Sequence, residues 1–317
     1  MMKASSFSLA DLLSLLAAVA FGFICFLGLN FLTEGDLTSS ILIALGIVFI
    51  LEGLAYAAKR LKTARKYFKL TIIAEVLSII LFTVLFFFIS RSVFPHYFTV
   101  CDKKEEIKEK LSSSIDGATR MFEEYESYAA DRESLYEAKL KSVVAAKKAC
   151  PSDYKDYGFG AEGISDKDQI DNKLTTLHLD LFPSNYSGTA SQAGTKDIAI
   201  KWLNSQKAVV EDWKAIGIPV IAKELPQSAS NWRSKLIEYS KVREQGEIAR
   251  DFSYELTFGD VSSLLTEKKR PKTLPVIISI VIWALMLFSW LITERDSRFP
   301  GFKRVFRKDD NTLDNEL

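Results

Sequence analysis

The chain has 317 residues with 41 Lys plus Arg against 40 Asp plus Glu, a hydrophobic fraction of 48% and a mean hydropathy of +0.07. Charges so nearly balanced leave no basic footprint for nucleic acid, and two histidines (His96, His178) with three cysteines are too few for a clustered zinc or haem site. No metal, no cofactor and no nucleic-acid partner are therefore expected, and the middling hydropathy is an average over two segregated kinds of sequence.

Four apolar runs come first in importance: Asp11 to Leu32, Ser39 to Ala57, Leu70 to Ile89 and Leu274 to Ile292. At about 1.5 Å rise per residue each covers the roughly 30 Å hydrocarbon layer as a helix. The first lacks a basic flank and an A-x-A site after its apolar stretch, and a second run follows at once, so it reads as a retained span and not a signal peptide. The fold expected is a multi-pass α-helical membrane protein of four transmembrane helices, arranged three plus one. A mainly α-helical extracytoplasmic domain, 92–272, is inserted between the third and the fourth and includes one short β element.

Orientation follows from short loops. The linker 58–69 holds Lys59, Arg60, Lys62, Arg65, Lys66 and Lys69 with no acid, whereas the Thr33 to Thr38 loop has no base and carries Glu34 and Asp36. The positive-inside bias puts the linker, the N-terminus 1–10 and the tail 293–317 in the cytoplasm, in a plasma or inner membrane, and 92–272 outside. Lys268, Lys269, Arg270 and Lys272 disagree, but long loops translocate largely regardless of charge.

The 92–272 stretch carries 27 Lys plus Arg and 29 Asp plus Glu, so its surface favours neither charge. Arg91 to Phe98, with Pro95 among aromatics, reads as the exit from the membrane. From Asp102 to Ala149 apolar residues recur at Ile107, Leu111, Ile115, Phe122, Tyr125, Ala129, Tyr136, Leu140 and Val143, one face of a helix with coiled-coil character. That stripe falters at Arg132 and Glu133. A straight helix would hold Cys101 and Cys150 about 74 Å apart, whereas a fold-back near Tyr128 to Asp131 would let them pair as a disulfide; both remain open, the hairpin being preferred. Cys25 fills volume in the first span.

Tyr154 to Gly163, rich in Tyr and Gly, reads as a connection whose aromatics pack inward, with a ligand-binding loop as the alternative. Asp168 to Phe182 is a helix ending at Pro183, followed by a polar loop whose Asn185-Tyr186-Ser187 fits a glycosylation sequon. Lys196 to Ile216 and Ser228 to Glu247 are helical, Ile218 to Ala222 is extended, Asp251 to Phe258 alternates as a strand does, and Asp260 to Glu267 is a last turn or two.

Within the spans, Glu52 lies seven residues before Lys59 and Glu75 six after Lys69, so antiparallel helices hold both carboxyls at one depth, where they can meet. Intramembrane acids face protein, water or a counter-ion, which suits either a helix tie or a proton or cation site. Ser14, Ala18 and Gly22, and Gly53 and Ala57, recur every fourth position and allow close helix approach. In the tail, Lys303, Arg304, Arg307 and Lys308 among aromatics suit an anionic leaflet.

Three spans, a large loop and a fourth span give a layout similar to that of tetraspanins, but the loop has no Cys-Cys-Gly motif and only Cys101 and Cys150, so no family is assigned. No nucleotide, hydrolase or zincin motif appears. The function expected is that of a non-enzymatic scaffold or sensor, with the lipid bilayer and proteins as partners and any small-molecule ligand unknown. The alternative is a transporter, channel or ion-coupled subunit built on Glu52 and Glu75. Asp251, Glu255 and Asp260, at ordinary surface spacing, give an outward-facing hydrolase little to work with.

Overall fold

The computed structural model describes residues 8–64, 68–189, 191–242, 252–267 and 272–295, and it is almost wholly helical. The chain divides into two compact units, one built from residues up to Lys104 together with those from Ser263 onward, the other from Glu105–Ser262.

In the first unit, α1 (Leu9–Leu32), α2 (Leu37–Lys62) and α3 (Phe68–Ser92) are long and apolar enough to cross a membrane. Ser8 starts α1 with a capping box, its hydroxyl taking the Asp11 N–H while the Asp11 carboxylate takes the Ser8 N–H. Asp36 caps α2 on the Ser39 N–H. Helix α2 runs on through Lys59, Arg60 and Lys62, so most of the described linker is helix and not loop.

The inner face of α1 is small or aromatic. Phe21 stacks between Phe86 at 4.6 Å and Phe94 at 5.1 Å, with Ala17, Ala18 and Cys25 beside it. Gly22 admits Val48, which would lie 2.2 Å from a Cβ there, so the Ser14, Ala18, Gly22 spacing serves packing of α1 on α2. Gly53 has open space around it and does not use its spacing that way. The outer faces carry Phe49 at 75% and Phe88 at 73% exposure among many Leu and Ile, far more exposed apolar surface than water tolerates on a monomer.

At Val93 the helix breaks and α4 (Phe94–Cys101) begins, with Pro95 in its first turn where a missing N–H costs nothing. Gly28 permits this turn, since a Cβ on it would stand 2.5 Å from the Val93 carbonyl. The expected exit from the membrane is thus a second helix that buries Phe94, Pro95, His96 and Val100. His96 Nε2 lies 2.7 Å from the carbonyl of Leu265 in α11 (Ser262–Thr266). The fourth apolar run is helical but divided, as α12 (Thr273–Met286) and α13 (Phe288–Ile292) on either side of Leu287.

The second unit is organised by α5 (Lys104–Ala145), 42 residues or roughly 63 Å long. It passes unbroken through Arg132 and Glu133, and no disulfide joins Cys101 and Cys150. The expected hairpin and its disulfide are therefore replaced by one helix. The reason is that Arg132 belongs to the buried stripe, only 4% exposed, and its guanidinium donates to the carbonyls of Ser240 and Val242 and to Tyr128 Oη.

Around α5 lie α6 (Pro151–Asp156), α7 (Asp166–Leu181), α8 (Ser184–Ser187), α9 (Thr195–Glu211) and α10 (Ile218–Ser240). One aromatic cluster joins Phe122, Tyr125, Tyr186 and Phe252; a second joins Tyr136, Leu140, Phe159, Ile170 and Leu177. Tyr154 stacks on Phe159 at 5.2 Å, so the aromatics after Cys150 do pack inward, on turns that positive φ at Gly158, Gly160 and Gly163 makes possible.

Two further expectations change. Ile218 to Ala222 is the first turn of α10, not an extended piece, and α10 continues past Pro226 because Ile218, Ile221, Leu225 and Ala229 bury one face. Residues 252–258 alternate in burial as expected of a strand, but among the described residues no strand pairs with them; Phe252 packs edge-on at 5.2 Å against Tyr125, and Tyr254 Oη donates to the Gly117 carbonyl at 3.1 Å. The β structure among the described residues is a two-residue ladder instead, β1 (Gly188–Thr189) against β2 (Gln192–Ala193), antiparallel.

Candidate functional site

Two groups of polar side chains in the first unit lie at one end of the helices, where α1 begins, α2 ends, α3 begins and α13 ends. They form two networks. In the first, Asp11 accepts from the backbone and hydroxyl of Ser8 at 2.9 Å each, from Ser289 Oγ at 2.5 Å and from Lys59 Nζ at 2.5 Å. One turn along α1, Ser14 Oγ lies 2.7 Å from the Met286 carbonyl and 3.3 Å from each Glu52 oxygen.

In the second network, Glu75, buried to 2% exposure, accepts from Trp290 Nε1 at 3.0 Å and from the Arg295 guanidinium. Lys62 donates to the Trp290 carbonyl at 2.8 Å and lies over its indole ring, 4.6 Å from the centroid. Burying a carboxylate this completely demands a charged partner, and Arg295 supplies it.

Glu52 and Glu75, expected to meet, do not bond to each other. Glu52 faces α1 and Glu75 faces the end of the fourth apolar segment, because equal depth fixes height along the helices but not the side of each helix that a residue occupies. Of the bases expected at the membrane surface, Lys59 and Lys62 turn inward to Asp11 and Trp290, Arg60 lies on Tyr56, and Lys69 is exposed. Arg65, Lys66, Lys303, Arg304, Arg307 and Lys308, like Lys268, Lys269, Arg270 and Asp251, lie outside the described residues.

Sequence reasoning missed Asp11, Ser14, Ser289, Trp290 and Arg295 as members of these networks. A signal for part of this was present, since Asp11 and Ser14 share a face of α1 one turn apart, as polar residues opening an apolar run.

In the second unit, a cleft of about 340 Å³ is lined by Ser184, Asn185, Thr189, Gln192, Ala193, Thr195, Ile198 and Lys235. Tyr186, between two of these, is pinned beneath it, its hydroxyl donating to Glu126 at 3.1 Å while Lys196 pairs with the same carboxylate. Gly188 (φ 83°) and Gly194 close the hairpin at its floor; a Cβ on Gly194 would fall 2.1 Å from the Tyr186 carbonyl. The lining offers hydroxyls, amides and one ammonium but no carboxylate, imidazole or thiol. Comparison of the chain with protein-family models, with curated proteins and with solved structures finds no match.

Proposed function

We propose that the chain is a non-catalytic integral membrane protein whose helical domain binds or senses a protein partner outside the membrane, with the surface cleft at Asn185, Gln192 and Lys235 as the contact. The observation that carries this reading is the chemistry of the cleft lining among the described residues, which donates and accepts hydrogen bonds through hydroxyls, amides and the Lys235 ammonium and holds no carboxylate, imidazole or thiol beside them. Exposed amides and hydroxyls on a hairpin held by a buried tyrosine suit recognition of a polar surface. In this reading α12 and α13 make a fourth crossing, the basic end of α2 faces the cytoplasm with both termini, and Glu105–Ser262 faces the opposite compartment. The occupied Asn185 sequon and the binding cleft are then mutually exclusive, because a glycan on Asn185 would fill it.

Photo-crosslinking side chains placed singly at Thr189, Gln192 and Ile198 in native membranes test this, with exposed Asp171 on α7 as the control position. Adducts to one protein from the three cleft positions, absent at Asp171 and abolished by Lys235→Glu, are the expected result. Thiol labelling of Thr63→Cys and Ser184→Cys from one and the same side of the membrane would defeat the orientation.

A further inference from the structure

Ser14 brings three oxygen-bearing groups together on a single hydroxyl hydrogen. Its Oγ is 2.7 Å from the Met286 carbonyl, which has no hydrogen to give, so that contact consumes the only one Ser14 has. Both Glu52 oxygens stand 3.3 Å from the same Oγ, and Ser14 is 2% exposed. An ionised Glu52 would set its lone pairs against those of the hydroxyl oxygen with no donor between them, at a helix contact where an unmade hydrogen bond is costly. A neutral carboxyl instead donates to Ser14 Oγ, whose own hydrogen stays on the Met286 carbonyl.

From this geometry we infer that Glu52 is a proton-binding site, and that its proton holds the junction between α12 and α13. The relay runs from the Glu52 carboxyl O–H to Ser14 Oγ, and from the Ser14 O–H to the Met286 carbonyl at the last residue of α12. When the Glu52 proton passes to water, no other bond is made or broken covalently. The carboxylate becomes an acceptor, Ser14 turns its hydrogen toward it, and the Met286 carbonyl loses the Ser14 hydroxyl as a donor. Proton loss at α2 is thereby converted into release of the break in the fourth apolar segment.

The charged groups around Glu52 leave this role to it. From α1 comes Asp11, which is satisfied as an anion by Ser8, Ser289 and Lys59 of α2; from α3 comes Glu75, paired with Arg295; Lys62 is engaged by Trp290. Helices α12 and α13 themselves contribute no titratable residue. The site is independent of the cleft proposed above, and either can fail without the other.

Infrared difference spectroscopy of the full chain in lipid nanodiscs across a pH titration tests it, paired with hydrogen exchange at residues 287–292. A neutral carboxylic acid carbonyl band is expected that vanishes in Glu52→Gln, persists in Glu75→Gln, and shifts in frequency in Ser14→Ala, which removes its acceptor. Exchange at 287–292 should rise at least several-fold over the pH range in which the band disappears, and should stay low in Glu52→Gln, whose amide donates as the acid does. If Glu52→Gln does not fold, the Ser14→Ala shift decides. Absence of an acid band assignable to Glu52, or exchange at 287–292 that ignores its titration, would overturn the proposal.

Discussion

In the apolar unit the core sets Ala and stacked Phe among Leu, Ile and Met, and Asp11, Ser14 and Glu75 tie one helix to another. In the polar domain the core is a chain of tyrosines and phenylalanines along α5, whose hydroxyls bond to backbone carbonyls at its edges. The difference follows from the surroundings each surface suits. Where the exterior is as apolar as the interior, exclusion from water cannot choose between helix arrangements, and close backbone approach with polar ties does so. Where the exterior is water, aromatic burial drives folding, and phenols supply the bonds that a long helix needs at its flanks.

The largest effect that sharpens this contrast is at Arg132. The polar domain places this one full charge in its buried stripe to terminate α10, where the helix dipole favours a cation. Arg132→Ala leaves two carbonyls without their donor and a void beside Tyr128, so the domain should lose about 3 kcal/mol. Arg132→Met, which keeps most of the volume, should recover only the packing share. Denaturant unfolding of the full chain, followed by tyrosine and tryptophan fluorescence, checks both; a Met variant as stable as the parent would show that the carbonyls find other donors.

Arg132 also shows where the sequence stops being readable. Its charge interrupts an apolar period and so reads as a fault in the helix, since a period counts side chains and cannot display the carbonyls of Ser240 and Val242, which lie more than a hundred residues away. The three long apolar helices were legible because hydropathy is a local property of about 20 residues. Their polar ties were legible only in part. Glu52 and Glu75 stood out as acids in apolar runs, but Ser14, Trp290 and Arg295 become their partners through packing, which helix depth alone does not specify. The alternation of 252–258 was real in burial, and pairing, a property of two segments, was what one segment could not reveal.

In the apolar unit the corresponding break is steric. Gly22→Ala would put a methyl 2.2 Å from Val48 Cγ2, and a β-branched valine on a helix has little rotamer freedom with which to yield. A loss of about 1–2 kcal/mol is expected for overpacking, seen as a lower thermal midpoint in detergent, with recovery in the Gly22→Ala, Val48→Ala pair. Gly53→Ala is the internal control. With open space around it, it should be neutral or slightly stabilising, so equal damage at both glycines would mean that close approach of α1 to α2 is not what Gly22 provides.

The smallest effect separates the two units by pH. Burial pushes the Tyr125 phenol above the ordinary tyrosine range, reinforced by Tyr128, and burial likewise raises Tyr186, with the Glu126 carboxylate adding to it. A raised folded-state pKa means that the native domain holds these protons more tightly than the unfolded chain does. Their contribution is complete below the ordinary tyrosine pKa of about 10 and is lost as pH climbs through and beyond that value. Tyr125→Phe removes the bond to the Leu181 carbonyl, 2.7 Å long, at a cost of about 1 kcal/mol near neutrality, yet it also removes one phenol that must ionise on alkaline unfolding. The variant should therefore be less stable than the parent at neutral pH and lose less stability between neutral and strongly alkaline pH, so the two stability curves converge as pH rises. Parallel curves would mean that the Tyr125 phenol ionises alike in the folded and unfolded chain, and that the aromatic core of the polar domain is open to water in a way its packing does not suggest.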